Sequence, residues 1–440
     1  MPGRKILIVT GSDYTRQVYD AFRAVRERGD RLFLLSDGSF EPHPGVFEKH
    51  YACDLRRTHD VLAMMRETGE RFDAVAIKTS EWLTPLTALL VREFGCIGND
   101  PLTAFRCRSK YHMRQRLLET GIPIPRFRLC RTIGDLRDAV DAIGLPCVAK
   151  PVGGNASYGT FRLRDAKDLA ELPQRYASSI RYLEAKAVRD DVFAFSDEEM
   201  DSIGVEEHVD MVHDYLVEEC MTGPEISVDA ITQNGRTTAL GLAEQVRMDP
   251  PYFVQLAEFM PFLCDARTQK EVEELAKRTT DAIGITDSPS HTEIMLTPDG
   301  LRVVEIACRI GGDNIHDSVF QTTGYNLMEE AIMVALGEPR FYDISCRCHT
   351  AMRYILPECA GIVRTVDVPR SVLNNPNVTE IEIAAKAGDR VARPPESFDF
   401  LGYVCTRGKS RPEAVSLLED VVSLLHIVVQ NETAPLRMVP

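Results

Sequence analysis

No stretch of this sequence comes near the ~18–20 consecutive apolar residues of a membrane-spanning helix. The N-terminus runs directly into a strand, Lys5–Thr10, with no leader-like segment before it. The twelve cysteines contain no CxxC pair. Their nearest cluster, Cys346-Arg347-Cys348-His349, lacks a second ligand pair at zinc spacing and reads as the buried start of a strand. Reduced thiols and a cytoplasmic address follow. Positive charge is in deficit: 51 Lys and Arg against 66 Asp and Glu give a formal net charge of −15. That argues against non-specific nucleic-acid or anionic-membrane binding, while leaving room for local basic pockets. The single tryptophan, Trp82, follows Thr79-Ser80-Glu81 at a helix start and reads as a packing residue. No GxGxxG follows the first strand, so a dinucleotide site there is not expected.

What is present is a chain of 440 residues, 44% hydrophobic and 27% charged, enough for two to four domains with proper cores. The first hundred residues alternate strand and helix. KILIVT (5–10) is a continuous apolar run of the kind buried in a parallel sheet. A helix carrying Val18, Phe22 and Val25, a strand at Leu32–Leu35, a helix near 58–68, a strand at Asp73–Lys78 and a helix stopped by Gly95 complete a βαβαβα unit, hence an α/β, doubly wound domain. One helix is expected from about Pro101 to Thr120, ended by Gly121 with prolines beyond. It carries Lys110 among Arg106, Arg108, Arg114 and Arg116, which taken alone is a basic solvated face. The strand Cys147–Lys150 then leads into Pro151–Gly159, where small residues let successive backbone N–H groups point at a phosphate. It is not a Walker A loop, because the lysine precedes the glycines. Residues 165–214 read as the outer, mobile part of a small domain. His208 and His213, flanked by Asp210 and Asp214, are a metal cluster or, the favoured reading, solvated polar residues. Strands at 215–220, 225–231 and 238–246, a loop with Pro250-Pro251 and a helix at Thr268–Ile283 come next. The last hundred residues give strands at 349–357, 378–384 and 399–408. A helix over Arg411–Leu425 has an apolar face (Val415, Leu418, Val422, Leu425) that packs in its own lobe or forms a homodimer interface.

The sequence is organised around His291–Asn314, two short strands joined at Pro298-Asp299-Gly300. Antiparallel pairing about that turn sets Glu293 beside Glu305. Two adjacent carboxylates repel unless a cation lies between them. Oxygen ligands of this type suit Mg²⁺, which leaves its remaining positions to phosphates. Arg309 and Gly311-Gly312 follow at once, and the glycines permit close backbone approach. The arrangement points to phosphoryl transfer, with a hairpin bearing two solvated glutamates as the alternative.

Five motifs stand in order: Lys110 in RCRSKYHMRQRLLETGIPIPRF, Lys150 in GLPCVAKPVGGNASYGT, then YLVEECMTGPEISVD, HTEIMLTPDG and VVEIACRIGGD. Together they resemble the ATP-grasp superfamily of carboxylate–amine or carboxylate–thiol ligases, over a span from about residue 5 to the end of the chain. EIACRIGGD and PPYFVQLAEFMP (250–261) are most similar to the bacterial L-amino-acid (dipeptide) ligases. The resemblance implies an N-terminal pre-ATP-grasp domain (1–105), an ATP-grasp domain (106–345) with a mobile small subdomain (about 150–220), and a C-terminal α+β lobe (346–440). It also implies roles. Lys110 and Lys150 neutralise ATP phosphates. The loop containing Gly153, Gly154 and Ser157 closes over them. Glu218 and the backbone of Glu219 to Met221 read adenine, and Glu225 accepts the ribose hydroxyls. Glu293 and Glu305 hold Mg²⁺, with Mn²⁺ as a substitute. Arg309 stabilises the acyl phosphate and tetrahedral intermediate, with His291 either a further donor or a buried, hydrogen-bonded histidine. Gly311, Gly312 and Asp313 line the amino-acid pocket. One position departs from much of the superfamily: Ala307 stands where many members carry a metal-binding Asn, a small residue shared with the L-amino-acid ligase branch.

The implied reaction joins an amino-acid-like carboxylate to an amine through an acyl phosphate, releasing ADP and phosphate. Transfer to a carrier-protein thiol or hydroxyl, carboxylation, and a non-catalytic ATP-binding module are the alternatives. Retention of Glu293, Glu305 and Arg309 disfavours the last.

Overall fold

The structure, a computed structural model, describes residues 3–154, 157, 159–189, 195–248, 253–312, 314–393 and 400–431. Strands β1 (Lys5–Thr10), β2 (Arg31–Ser36), β3 (Lys49–Ala52) and β4 (Ala74–Ile77) form a parallel sheet in the order β3-β2-β1-β4. Ile6 to Val9 are wholly buried, as expected of a strand covered on both faces. The short edge strand β3 was not anticipated, since Lys49 and His50 give it no apolar pattern. The strand order, built from β1 to β2 to β3 on one side, switches to the other side of β1 with the parallel strand β4, and a crevice for ligands opens beyond the carboxyl ends of strands at such a switch point. Trp82 packs there as expected: a Cβ at Gly11 would lie 2.8 Å from its ring.

The basic segment corrects the sequence reading. Instead of one helix over Pro101–Thr120 there are two, Pro101–Arg108 and Lys110–Glu119. Ser109 between them is extended (φ −92°, ψ 107°), and its hydroxyl accepts from the His112 N–H, capping the second helix. The break turns the Lys110 N–H onto the Val152 carbonyl at 3.0 Å. Nor is the face solvated: Arg108 and Arg114 are 0% and 1% exposed.

A second, antiparallel sheet comprises β5 (Phe127–Cys130), β6 (Cys147–Pro151), β7 (Phe161–Leu163) and β8 (Tyr215–Glu219) in the order β5-β8-β6-β7. The helices Ile133–Ile143 and Ala166–Arg189 flank it. Near its end His208 pairs with Asp197 and Asp201, and His213 with Glu184 and Asp210. No group of three metal-ligating side chains occurs among the described residues.

The largest sheet begins with β9 (Glu225–Gln233), β10 (Arg236–Arg247), β11 (Gln255–Met260), β12 (Ser288–Thr297) and β13 (Gly300–Ala307). It continues into the C-terminal region, where β14 (His349–Ile355), β15 (Gly361–Asp367), β16 (Val378–Ile383), β17 (Arg390–Val391), β18 (Gly402–Gly408) and β19 (His426–Asn431) follow. The order is β13-β12-β9-β10-β11-β14-β18-β16, with β17-β15-β19 as a separate small sheet. The helix Arg411–Leu424 packs Leu418 and Val421 onto Ala351 and Val404, with Val415, Val422 and Leu425 at the margin of this core. Its apolar face is therefore covered by its own lobe. Cys346, expected to be buried, is exposed, because the strand starts only at His349. No helix among the described residues is long and apolar enough to cross a membrane.

Candidate active site

A cavity of about 280 Å³ opens between the second sheet, the largest sheet and the carboxyl end of β4. Its wall contains Lys110, Lys150, Gly154, Ser157, Glu218, Glu219, Met221, Glu225, His291, Glu293, Glu305, Arg309 and Gly312, side chains drawn from every motif singled out in the sequence. Wider clefts, of about 730 and 720 Å³, lie elsewhere around the helix Ala266–Ile283 and contain none of these residues.

The hairpin supplies the acidic centre. β12 pairs with β13 in a register that places Glu293 opposite Glu305, with a bulge after Glu293. Cations surround the pair. Nζ of Lys110 donates to Glu305 Oε1 at 2.7 Å and to the Gly154 carbonyl at 2.6 Å. Nη2 of Arg247 reaches Glu293 at 3.3 Å, while Nε donates to Glu225 at 2.7 Å. Burial pushes the Glu293 carboxyl up, but Arg247, His291 and Lys110 outweigh it and hold it well below the usual range. At Glu225 burial wins, helped by the neighbouring Glu293 charge, and its pKa is raised despite Arg247.

Glu218, expected to read adenine together with the backbone of Glu219 to Met221, lines the cavity with its carboxylate engaged by two cations. It is 4% exposed, with Nε of Arg114 at 2.7 Å on one oxygen and Nζ of Lys150 at 2.7 Å on the other. Burial raises its pKa, but the two cations dominate and hold it at about 2. Burial lowers that of Lys150 in spite of Glu218. Glu218 thus fixes Lys150, and Glu219 and Met221, beyond it along the chain, line the same cavity. Glu219 itself pairs with Arg302 at 3.2 Å.

His291 proves to be a buried, hydrogen-bonded histidine. Its Nδ1 lies 3.1 Å from Asp229 Oδ2 and its Nε2 3.7 Å from Glu293. Burial lowers its pKa, but the two carboxylates prevail and lift it to about 10, so it carries a proton at neutral pH. The other oxygen of Asp229 accepts the Gly311 N–H at 2.9 Å. A Cβ on Gly311 would sit 2.6 Å from that oxygen, so this glycine serves close packing behind the cavity and only Gly312 lines it. Gly153 is likewise off the wall: its N–H donates to the Met211 carbonyl at 3.0 Å, where a Cβ would come within 2.5 Å. Ser157 has φ +58°, a left-handed turn within the loop. Asp313 falls outside the described residues. Ala307 pairs with His291 across the hairpin and lines the cavity.

Several wall and support residues escaped the sequence reading: Glu81, Arg247, Gln255 and, behind them, Arg114 and Asp229. Arg247 was within reach, since alternation along β10 puts it on the face of Gln245, which bonds Ser227 and Glu258 below the cavity. Glu81 had a weaker signal, its place just past the carboxyl end of β4.

Residues 143–317 match the family described as ATP-grasp domain, and 353–430 match L-amino acid ligase C-terminal domain 2. The L-arginine-specific L-amino acid ligase of Bacillus subtilis is 23% identical over 363 residues, 81% of this chain and 80% of that protein. The alanine–anticapsin ligase of Bacillus subtilis strain 168 is 21% identical over 378 residues, 78% of this chain and 75% of that protein. The crystal structure of the L-amino acid ligase from Bacillus licheniformis superposes with a TM-score of 0.78 at 21% identity, covering 98% of this chain and 100% of that one.

Proposed function

The chain belongs to the ATP-grasp superfamily of carboxylate–amine ligases, on the side of the bacterial L-amino acid ligases, and from that premise we propose that its cavity activates an amino-acid carboxylate with ATP and passes it to an amine. The observation that supports this reading most is the facing pair Glu293 and Glu305 with Lys110, Lys150 and Arg309 on the same cavity wall. Hard oxygen donors in such a pair fit Mg²⁺ or Mn²⁺. Lys110 and Arg247 lie against these carboxylates at 2.7 and 3.3 Å and supply the kind of positive charge that a metal would bring. Glu293 and Glu305 would hold the metal. When bound, it would offset charge on the transferring phosphoryl group.

Lys110 and Lys150 hold the triphosphate, and Gly154 and Ser157 bring their loop against it. Glu225 takes the ribose once Arg247 yields. The substrate carboxylate oxygen attacks the γ-phosphorus; an O–P bond forms, the bond to the β-bridging oxygen breaks, and ADP leaves. The amine then attacks the carbonyl carbon; a C–N bond forms, the C–O bond to phosphate breaks, and the departing phosphate takes up the proton the amine loses. Arg309 holds the oxyanion that develops between these events. The sheet β5-β8-β6-β7 shields the acyl phosphate from water.

The relatives named as ligases for L-arginine and for alanine with anticapsin make amino acids the first substrates to try. ADP and phosphate release across twenty amino acids, singly and in pairs, with mass spectrometry of the products, tests the reading. Pair-dependent release with a dipeptide product is expected. Release with a single amino acid and no amide would move the acceptor to a thiol or hydroxyl. No release under any condition would leave an ATP-binding module.

A further inference from the structure

Arg309 is not held by its own strand. Its Nη2 donates to Oε2 of Glu81 and its Nη1 to the Ile310 carbonyl at 3.0 Å, while Nε has no partner. Glu81 comes from the N-terminal region, on the single helical turn Glu81–Leu83 that follows β4. Its second oxygen, Oε1, lies 3.8 Å from Nη1 of Arg108 and accepts no hydrogen bond. Arg309, Glu81 and Arg108 are respectively 12%, 8% and 0% exposed in their side chains. Burial raises the Glu81 pKa, but Arg309, Arg108 and Lys110 prevail and hold it at about 2, so it is ionised throughout the working range. Both guanidinium groups thus approach the one Glu81 carboxylate.

A guanidinium taken out of water needs a counter-charge and a fixed geometry. Glu81 supplies both, with Arg108 3.8 Å from its other oxygen. Arg309 lines the cavity with a buried donor unsatisfied, and such a donor is costly until a ligand takes it.

We infer that Glu81 is the positioning residue for Arg309: reaching over from the carboxyl end of β4, it aims the guanidinium at the reacting carbonyl, so that the N-terminal sheet completes the active site. The inference rests on the role given to Arg309 above. Arg108 serves as the back-stop that keeps Glu81 in place.

Glu81→Gln keeps the shape and removes the charge. A misplaced reacting group costs on the order of 100-fold, so kcat for pair-dependent ADP release should fall about 10–100-fold. The KM for ATP should stay within about twofold, because Lys110 and Lys150 are untouched. Glu81→Asp should recover part of the loss. In an Arg309→Lys background, Glu81→Gln should cost less than about threefold more, since a residue acting through Arg309 has little left to lose. A Glu81→Gln enzyme with kcat within about twofold of wild type, or one that adds its full loss to Arg309→Lys, overturns the inference. So does a matching rise in the KM for ATP, which would mark a general disturbance. Should Glu81→Gln not fold by circular dichroism, the same comparison is read with Glu81→Asp. Wild-type protein without amino-acid-dependent turnover would defeat the ligase reading and this inference together. Normal wild-type turnover with an indifferent Glu81→Gln would defeat the inference alone.

Discussion

At the scale of single residues, the site is built from ion pairs whose members come from distant parts of the chain. Glu218 shows how much such a pair matters. Its folded pKa of about 2 lies below the ~4.3 of an unfolded glutamate, so its contribution is complete above that value and disappears as the pH falls through 2. Glu218→Gln should therefore destabilise by on the order of 3 kcal/mol at pH 7. The gap between variant and wild type, followed by urea midpoint, should narrow between pH ~4.3 and 2. A gap independent of pH would contradict the pairing. Gly311 makes a steric prediction of a different kind. Gly311→Ala would press a methyl group into Asp229 and His291, costing about 1–3 kcal/mol and lowering turnover, while Gly312→Ala, with no neighbour within 4 Å of the added Cβ, should leave stability unchanged.

At the scale of elements, the hairpin β12–β13 was the most legible part of the sequence. Two alternating strands about a Pro-Asp-Gly turn dictate the register, and the register alone sets Glu293 against Glu305. The parallel strands β1 and β4 were legible for a similar reason, since continuous apolar runs have few other uses. What could not be read was set by contacts distant in sequence. The break at Ser109 depends on the loop at Val152, which takes the Lys110 N–H. The pairing of Glu218 with Arg114 and Lys150, 104 and 68 residues away in sequence, leaves no local signal. Ser109→Ala removes the cap on Lys110–Glu119 and should cost about 1 kcal/mol. It should also weaken ATP binding by calorimetry, as Lys110 begins that helix. Unchanged affinity alongside lowered stability would separate the cap from the site.

At the scale of the whole molecule, one cavity collects residues from three sheets. The N-terminal sheet sends Glu81, the small sheet sends Lys150 and Glu219, and the large sheet sends both metal-binding candidates and Arg309. The proposed catalysis would depend on a divalent cation held between the carboxylates of Glu293 and Glu305. Chelation with EDTA should abolish ADP release, and Mg²⁺ or Mn²⁺ should restore it. Glu305→Gln should lose turnover by a factor of at least about 100 with its melting temperature little changed. Turnover that survives chelation would remove the hairpin from the chemistry.

In the proposed reaction the triphosphate of ATP is held between the acidic hairpin and the two lysines. A crystal structure with a non-hydrolysable ATP analogue and Mg²⁺ addresses it directly. A metal on Glu293 and Glu305, the phosphates on Lys110 and Lys150, and Arg247 withdrawn from Glu225 are expected. A nucleotide bound elsewhere, with the two glutamates still paired to Arg247 and Lys110, would contradict it.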